Sequence, residues 1–186
     1  FLSQPPFIGR QLELDVIRDR WASSKAELLI LYGRRRVGKT RLFTHWIETD
    51  RPRALYWVAE PSSALDQLRS FSQALYNFLN PELPAPDDFT YASWSQAFQQ
   101  LARAAQSERL AVVLDEFTYL LVVDASIAAA LQNAWDHLLQ GTRLFLAISG
   151  SHLGMLERHL LSYQAPLYGR ATARLNLLPL PFANMR

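Results

Sequence analysis

Two hydrophobic patterns alternate along the chain. Nearly continuous apolar runs of about six residues are separated by longer segments in which apolar side chains recur every three or four positions. The runs are typical of buried parallel strands, and the periodic segments of helices that pack one face on a sheet. The pattern predicts strands over residues 27–32, 54–59, 109–114, 143–148 and 174–178. It predicts helices over residues 11–22, 39–49, 63–79, 91–106, 126–140 and 153–161.

Strands that alternate with helices indicate an α/β protein whose parallel sheet is covered by helices on both faces. The 186 residues are enough for one domain with a substantial core, and no internal repeat or linker interrupts them. We therefore expect a single domain over residues 1–186. Three tryptophans, Trp57, Trp94 and Trp135, fall at apolar positions of predicted elements, which favours core packing over base stacking.

Amino-acid composition excludes several classes of protein for this chain. Hydrophobic residues make up 49% and charged residues 19%, as in soluble globular proteins. The absence of cysteine excludes disulfides and thiolate metal sites, and the four histidines show no metal-ligand spacing. No apolar run approaches the ~20 residues that span a bilayer, so we expect a cytoplasmic protein without a membrane partner. A net charge of only +2 does not argue for nucleic acid.

One glycine-rich segment carries the clearest chemical signal. Residues 33–40 fit the phosphate-loop pattern G-x-x-x-x-G-K-[ST], and they lie between a predicted strand and a predicted helix. Gly33 and Gly38 allow a tight backbone turn whose N–H groups cradle a phosphate. Lys39 supplies a positive charge to the β- and γ-phosphates, and the Thr40 hydroxyl is a Mg²⁺ ligand. The segment predicts a nucleotide site.

Two carboxylates follow the third predicted strand. Asp115 and Glu116 come directly after an apolar run, as in a Walker B motif. Because the carboxyl ends of parallel strands meet at one edge, both residues should lie beside the phosphate loop. Asp115 is then a candidate for holding Mg²⁺, and Glu116 a candidate general base for the attacking water.

Three further residues, Ser149, Ser151 and Arg170, are candidates for the site with more than one possible role. Ser149 is the first choice, and Ser151 the second, for a polar residue that senses the γ-phosphate or the water, although Ser151 could equally cap the next helix. Arg170 could reach a γ-phosphate in its own subunit or in a neighbour's. A surface salt bridge explains Arg170 equally well from its position in the sequence.

Taken together, these motifs resemble the archaeal-type ATPase family, a branch of the AAA+/STAND P-loop ATPases. The resemblance covers nearly the whole chain. Its pieces are Phe7-Ile8-Gly9-Arg10, Tyr32-Gly-Arg-Arg-Arg-Val-Gly-Lys-Thr40, Leu114-Asp-Glu-Phe117, Ser149-Gly-Ser151 and Pro166-Leu-Tyr-Gly-Arg170.

The resemblance implies a three-layer P-loop NTPase fold with strand order 5-1-4-3-2 and with ATP and Mg²⁺ as cofactors. It implies that residues 7–10 lie against adenine and ribose. Gln11 stands where the family usually has glutamate, which weakens any claim about a charge there. We also expect a C-terminal lid and a further domain outside this chain. The implied nucleotide-contacting residues are Phe7, Ile8, Gly9, Arg10, Gly33, Arg34, Arg35, Arg36, Val37, Gly38, Lys39, Thr40 and Arg41.

The charges of Arg34, Arg35 and Arg36 allow three interpretations. They could add positive charge near the phosphates, contact a neighbouring subunit or remain solvated, and the sequence does not choose among these.

The function hypotheses share the same motifs. The first is an ATPase whose hydrolysis drives a conformational change, with DNA as a partner on family grounds only. The second is a STAND-type switch that binds ATP or ADP with little turnover and responds by homo-oligomerisation. A third is a DNA-binding module with a structural nucleotide, although no basic stripe is evident. A kinase fits less well, because Asp115 and Glu116 resemble a pair that activates water.

Overall fold

The computed structural model describes residue 7 and residues 9–181. In this range the chain forms five strands and seven helices, two of which end in a π-helical turn. The strands are β1 Glu27–Tyr32, β2 Ala54–Val58, β3 Leu110–Asp115, β4 Leu144–Gly150 and β5 Ala173–Asn176. The helices are α1 Gln11–Ala22, α2 Lys39–Asp50, α3 Ala64–Leu79, α4 Trp94–Ser107, α5 Thr118–Val123, α6 Ser126–Ala134 with the turn Trp135–Leu139, and α7 Leu153–Leu156 with the turn Glu157–Leu161.

The strands form one parallel sheet in the order β2-β3-β4-β1-β5, which confirms the expected order 5-1-4-3-2. β1, β3 and β4 are almost completely buried, and this burial explains their nearly unbroken apolar sequences. Because every strand points the same way, the ends of β1, β3 and β4 meet at one carboxyl edge. The motifs that follow these strands are therefore brought together there.

Two apolar clusters cover the two faces of the sheet and make the three layers. On one face α1 and α2 contribute Ile17, Leu42, Phe43 and Trp46, all without solvent exposure. The opposite face carries α3 to α7 in a larger cluster. That cluster contains Trp57, Trp94 and Trp135, which confirms their prediction as core residues.

Element boundaries differ from prediction mainly where side chains cap helices. Helix α4 begins at Trp94 rather than at residue 91, because the Ser93 hydroxyl accepts a hydrogen bond from the Gln96 N–H. Ser63 caps α3 in the same way, through the Asp66 N–H. Helix α5 was not predicted at all. Of the helices in the described part of the chain, none combines the length and hydrophobicity that a bilayer-spanning segment needs.

Arg109 ties the amino edge of the sheet together. Its guanidinium donates to the backbone carbonyls of Arg20 (2.6 Å), Trp21 (3.1 Å), Lys25 (2.5 Å) and Arg143 (2.9 Å). The first two carbonyls lie at the C-terminal end of α1, where four backbone acceptors lack partners within the helix. One side chain thus joins the end of α1 to the starts of β1 and β4, at the edge opposite the phosphate loop.

Replacing Arg109 with methionine is expected to lower the free energy of unfolding by about 2–4 kcal/mol, because four backbone carbonyls lose a charged donor and two of these bonds are part-buried. The midpoint of urea denaturation measures this change. Arg103→Met is the matched control, since Arg103 is exposed on α4 and makes no ion pair among the described residues. Equal losses in the two variants would contradict the assigned role.

Candidate active site

The phosphate loop leaves β1 through backbone conformations that its glycines permit. A Cβ at Gly33 would lie 2.4 Å from the Leu177 carbonyl oxygen, so no larger residue fits without a shift. Gly38 has a φ of 101° and caps α2, in a region that L-residues rarely adopt. Arg36, at a φ of 63°, also takes the left-handed conformation. The loop therefore keeps a strained turn immediately before the positive end of a helix, as a phosphate cradle requires.

Lys39 is a buried cation at the base of this loop. Only 5% of the residue is exposed, and its ammonium donates to the carbonyls of Gly33 and Arg34 at 2.9 Å each. Burial lowers the pKa of Lys39, while the nearby charges of Glu116 and Asp115 oppose that shift. The lysine charge is thus held inside the loop and faces the two carboxylates.

Asp115 is held by donors from every neighbouring element. It is 1% exposed, and its Oδ2 accepts from the Thr40 hydroxyl at 2.7 Å and from the Tyr56 hydroxyl. Its Oδ1 accepts from the Ser149 hydroxyl and from the Glu116 N–H, the latter at 2.9 Å. These bonds join the phosphate loop to β3, so Thr40 and Asp115 lie side by side. Four donors fix the orientation of one buried carboxylate.

Glu116 stands in a strained backbone position. Its φ is 54°, which a residue other than glycine adopts at a cost of about 1–3 kcal/mol and mostly at functional sites. Its Oε1 accepts a hydrogen bond of 3.0 Å from the Ser151 hydroxyl. Glu116 is part-buried and lines a pocket together with residues of the loop.

The two serines after β4 serve different carboxylates. Ser149 is fully buried and donates to Asp115, whereas Ser151 donates to Glu116. The cap of α7 is His152, whose Nδ1 accepts from the Met155 N–H at 3.2 Å. The alternative that Ser151 caps this helix is therefore wrong, because the helix begins one residue later than that role requires.

An open pocket of about 350 Å³ lies over these groups. Such a volume is within the usual range of small-molecule sites. Two of the loop cations, Arg36 and Lys39, line the pocket together with the candidate base Glu116. The lining residues are Arg36, Gly38, Lys39, Thr40, Arg41, Thr44 and Glu116.

The N-terminal segment reaches the same loop. Arg10 is 7% exposed and donates to the carbonyls of Val37 at 2.9 Å and Leu178 at 2.5 Å, so it ties the loop to the segment after β5. The Phe7 ring stacks on His45 of α2 with ring centroids 3.9 Å apart. Gly9 has a φ of 75°, and Ile8 lies outside the described residues.

The arginines in and beside the loop also make contacts outside this pocket. Arg34, Arg35 and Arg36 are exposed and border a second pocket of about 300 Å³, together with Val37, Pro179 and Leu180. Arg35 donates to the Tyr119 hydroxyl at 3.2 Å, and Arg41 pairs with Glu48 at 3.2 Å.

Comparison with known proteins identifies the family. Residues 7–186 match the family described as an ATPase domain predominantly from Archaea. The chain belongs to this family. Over 180 residues it is 27% identical to the uncharacterized protein MJECL04 of Methanocaldococcus jannaschii, which covers 97% of this chain and 37% of that protein. A 45-residue stretch is 47% identical to the uncharacterized ATP-binding protein MJ0423 of the same organism, covering 24% of this chain and 76% of that protein.

Solved structures share the fold of this archaeal ATPase domain. The Walker-type ATPase PABY2304 of Pyrococcus abyssi superimposes with a TM-score of 0.66 at 22% identity, over 95% of this chain and 55% of that one. The ORC1 protein of Aeropyrum pernix, solved in complex with DNA, superimposes with a TM-score of 0.61 at 15% identity, over 96% of this chain and 47% of that one. The chain thus spans about a third to a half of these longer proteins. Family membership implies nucleotide binding.

Arg170 of this ATPase domain lies far from the loop of its own chain. It precedes β5, and the neighbouring Thr172 N–H bonds to the Leu28 carbonyl at the amino edge of the sheet. The five steps along β1 from Leu28 to Gly33 span about 17 Å, which exceeds the length of an arginine side chain. Its guanidinium instead forms two hydrogen bonds with Asp136, at 3.0 and 2.8 Å. The placement does not support contact with a phosphate in the same chain.

Tyr56 is a site residue that the sequence reasoning missed. The sequence pattern indicates only that it lies in a strand, yet its hydroxyl reaches Asp115. Burial, together with the bond to Asp115, raises the pKa of this phenol, so the hydroxyl remains a donor across the neutral range. A tyrosine in an otherwise apolar strand was the available signal, but its partner depends on strand order and register.

Proposed function

We propose that this domain binds ATP with Mg²⁺ and hydrolyses it to ADP and phosphate, and that the cycle drives a conformational change. The observation that carries the proposal is the 2.7 Å hydrogen bond from Thr40 to Asp115. It joins the phosphate loop to the carboxylate of β3, while Glu116 lines the same pocket.

The residues present fit a magnesium ion. Mg²⁺ takes oxygen ligands, usually one or two carboxylates together with substrate phosphates and water. The Thr40 hydroxyl and the Asp115 carboxylate supply such oxygens at one point of the carboxyl edge. No group of three or more acidic or histidine side chains that could hold a metal occurs within residues 7 and 9–181, so phosphate oxygens would complete the ligand set. When bound, the ion neutralises charge that develops on the phosphates.

Residues of the chain bind the phosphates, accept the proton of water and orient the carboxylates. The loop amides and the N-terminal end of α2 hold the β-phosphate, and Lys39 places a positive charge against the β- and γ-phosphates. Glu116 accepts the proton of the attacking water. Ser149 orients Asp115, and Ser151 orients Glu116, through the hydrogen bonds described above. Arg170 is available to a neighbouring copy only after it leaves Asp136.

A nucleotide switch with little turnover is the second candidate function. The observation that favours it is the bond from Ser151 to Glu116, because that bond occupies one carboxylate oxygen of the candidate base. Under this alternative the bound nucleotide, rather than repeated hydrolysis, selects the conformation or the oligomer.

The partners are also part of the proposal. DNA is a candidate because a protein with the same fold, the ORC1 protein of Aeropyrum pernix, was solved in complex with DNA. Homo-oligomerisation is a candidate because Arg170, which pairs with Asp136 in its own chain, could instead serve the nucleotide of another subunit. A cytoplasmic location fits both. The exposed Arg34, Arg35 and Arg36 are available to the phosphates of a nucleotide or of DNA, or to a neighbouring subunit.

The test is single-turnover hydrolysis of ATP by the full-length protein, with Mg²⁺ and with EDTA. We expect release of phosphate only with Mg²⁺, and we expect Asp115→Asn to lower the rate by about 10- to 100-fold. Asp87→Asn is the matched control, because Asp87 is exposed in the loop before α4. Tight binding without release of phosphate would favour the switch, and absence of ATP binding would overturn both functions.

A further inference from the structure

Tyr56 completes a set of hydroxyls around Asp115. β2 and β4 are the two neighbours of β3 in the sheet, and α2 covers the face on which Asp115 lies. Each of these three elements supplies one hydroxyl to the carboxylate: Tyr56 from β2, Ser149 from β4 and Thr40 from α2. Asp115 is thus fixed from both sides within the sheet and from above.

The contact of Tyr56 is specific to its hydroxyl. Register pairs Tyr56 with Val113 and Val58 with Asp115, so the tyrosine lies one side-chain step before the carboxylate on the same face of the sheet. The ring packs against the apolar cluster beneath α1 and α2, where phenylalanine would fill the same space. Only the hydroxyl extends along the strand direction to Oδ2 of Asp115.

The oxygen that Tyr56 contacts is the one shared with the phosphate loop. Oδ2 accepts from both Thr40 and Tyr56, whereas Oδ1 is held by Ser149 and by the Glu116 N–H. Groups that orient a metal-holding carboxylate in this way usually change metal affinity by about 10- to 100-fold when they are removed. Tyr56 is therefore placed to set the orientation of Asp115 toward the hydroxyl of Thr40.

We propose that Tyr56 is a positioning residue, which holds Asp115 Oδ2 against the phosphate loop and thereby determines how strongly Mg²⁺ promotes nucleotide binding. This inference rests on the proposed function, because it assumes that Asp115 and Thr40 hold the ion. Tyr56 touches neither nucleotide nor water in this role. Its effect passes through Asp115 alone.

The experiment compares the affinity of a non-hydrolysable ATP analogue with Mg²⁺ and with EDTA, by titration calorimetry of the full-length protein. Tyr56→Phe is expected to leave the affinity in EDTA within about twofold of wild type and to reduce the enhancement by Mg²⁺ about 10-fold. Tyr91→Phe is the matched control, since Tyr91 is also part-buried but packs on the opposite face of the sheet. Thermal unfolding of both variants shows whether the ring packing is retained.

The outcomes separate this inference from the proposed function. If wild type shows no enhancement by Mg²⁺, the metal site and this inference both fail. If wild type shows it and Tyr56→Phe keeps it, only the role of Tyr56 fails. A loss of affinity in EDTA that equals the loss with Mg²⁺ would mean a general packing defect and would likewise overturn the inference.

A double-mutant comparison tests whether Tyr56 acts on the Mg²⁺ enhancement through Asp115. In the Asp115→Asn background, Tyr56→Phe is expected to cause no further loss of the Mg²⁺ enhancement, because the residue it positions is already changed. A further loss of the same size as in wild type would show that Tyr56 acts independently of Asp115, and would overturn the inference.

Discussion

Changing Glu116 to glutamine is expected to lower the single-turnover rate of ATP hydrolysis by about 10²- to 10⁴-fold, which is the usual contribution of a general base. Glutamine has nearly the same shape and can still accept the hydrogen bond from Ser151, but its amide does not take up a proton from water. The affinity for ATP should change little, because the phosphate loop and Lys39 are untouched. Phosphate release and calorimetric binding measure the two quantities separately.

Glu82→Gln provides the matched control for charge, because Glu82 is exposed in the loop after α3. This variant should hydrolyse ATP at the wild-type rate. If Glu116→Gln also keeps that rate, Glu116 is not the base. If wild type itself binds nucleotide without turnover and the variant behaves identically, the switch becomes the better description of the domain.

The sequence predicted the framework of this site because local signals and burial agree there. β1, β3 and β4 are buried on both faces, and strands of this kind have nearly unbroken apolar sequences. The candidate site residues follow the ends of those runs. Because the strands are parallel, the loop, Asp115 and Ser149 must meet at one edge of the sheet. The strand order itself came from the family resemblance.

Helix α5 shows where local signals mislead. Its six residues, Thr118–Val123, include three β-branched side chains, which favour a strand when considered alone. The segment is helical because Leu120 and Leu121 pack into the large apolar cluster immediately after the turn at Glu116. Tertiary contacts outweigh propensity in a helix this short.

Long-range placement accounts for the other differences. Nothing near Glu116 in the sequence signals a left-handed residue, since that conformation is normally marked by glycine or asparagine. Tyr56 acquires its partner only through the pairing of β2 with β3. Arg170 follows two turns that return the chain to the amino edge, and its partner Asp136 lies 34 positions earlier.

Changing Lys39 to alanine is expected to weaken ATP binding by about 2–5 kcal/mol, or roughly 30- to 4,000-fold, because a buried charge that faces the phosphates is removed. Only 5% of Lys39 is exposed, and the only hydrogen-bond partners of its ammonium within the described residues are the Gly33 and Arg34 carbonyls. The carboxylates of Asp115 and Glu116 would also lose the cation that offsets their charge. Repulsion between these carboxylates and the phosphates should add to the loss, which calorimetry with ATP measures.

The chain offers a close control, because Lys25 is its only other lysine. Lys25 is exposed at the amino edge of the sheet, so Lys25→Ala makes the same chemical change far from the loop. It should bind ATP as wild type does, and a difference confined to Lys39→Ala ties the loss to the phosphate loop rather than to net charge. Raising the salt concentration sharpens the comparison, because screening weakens exposed charges far more than buried ones. Equal binding by the two variants would mean that Lys39 serves only to hold the loop carbonyls, and the assignment of the nucleotide site would fail with it.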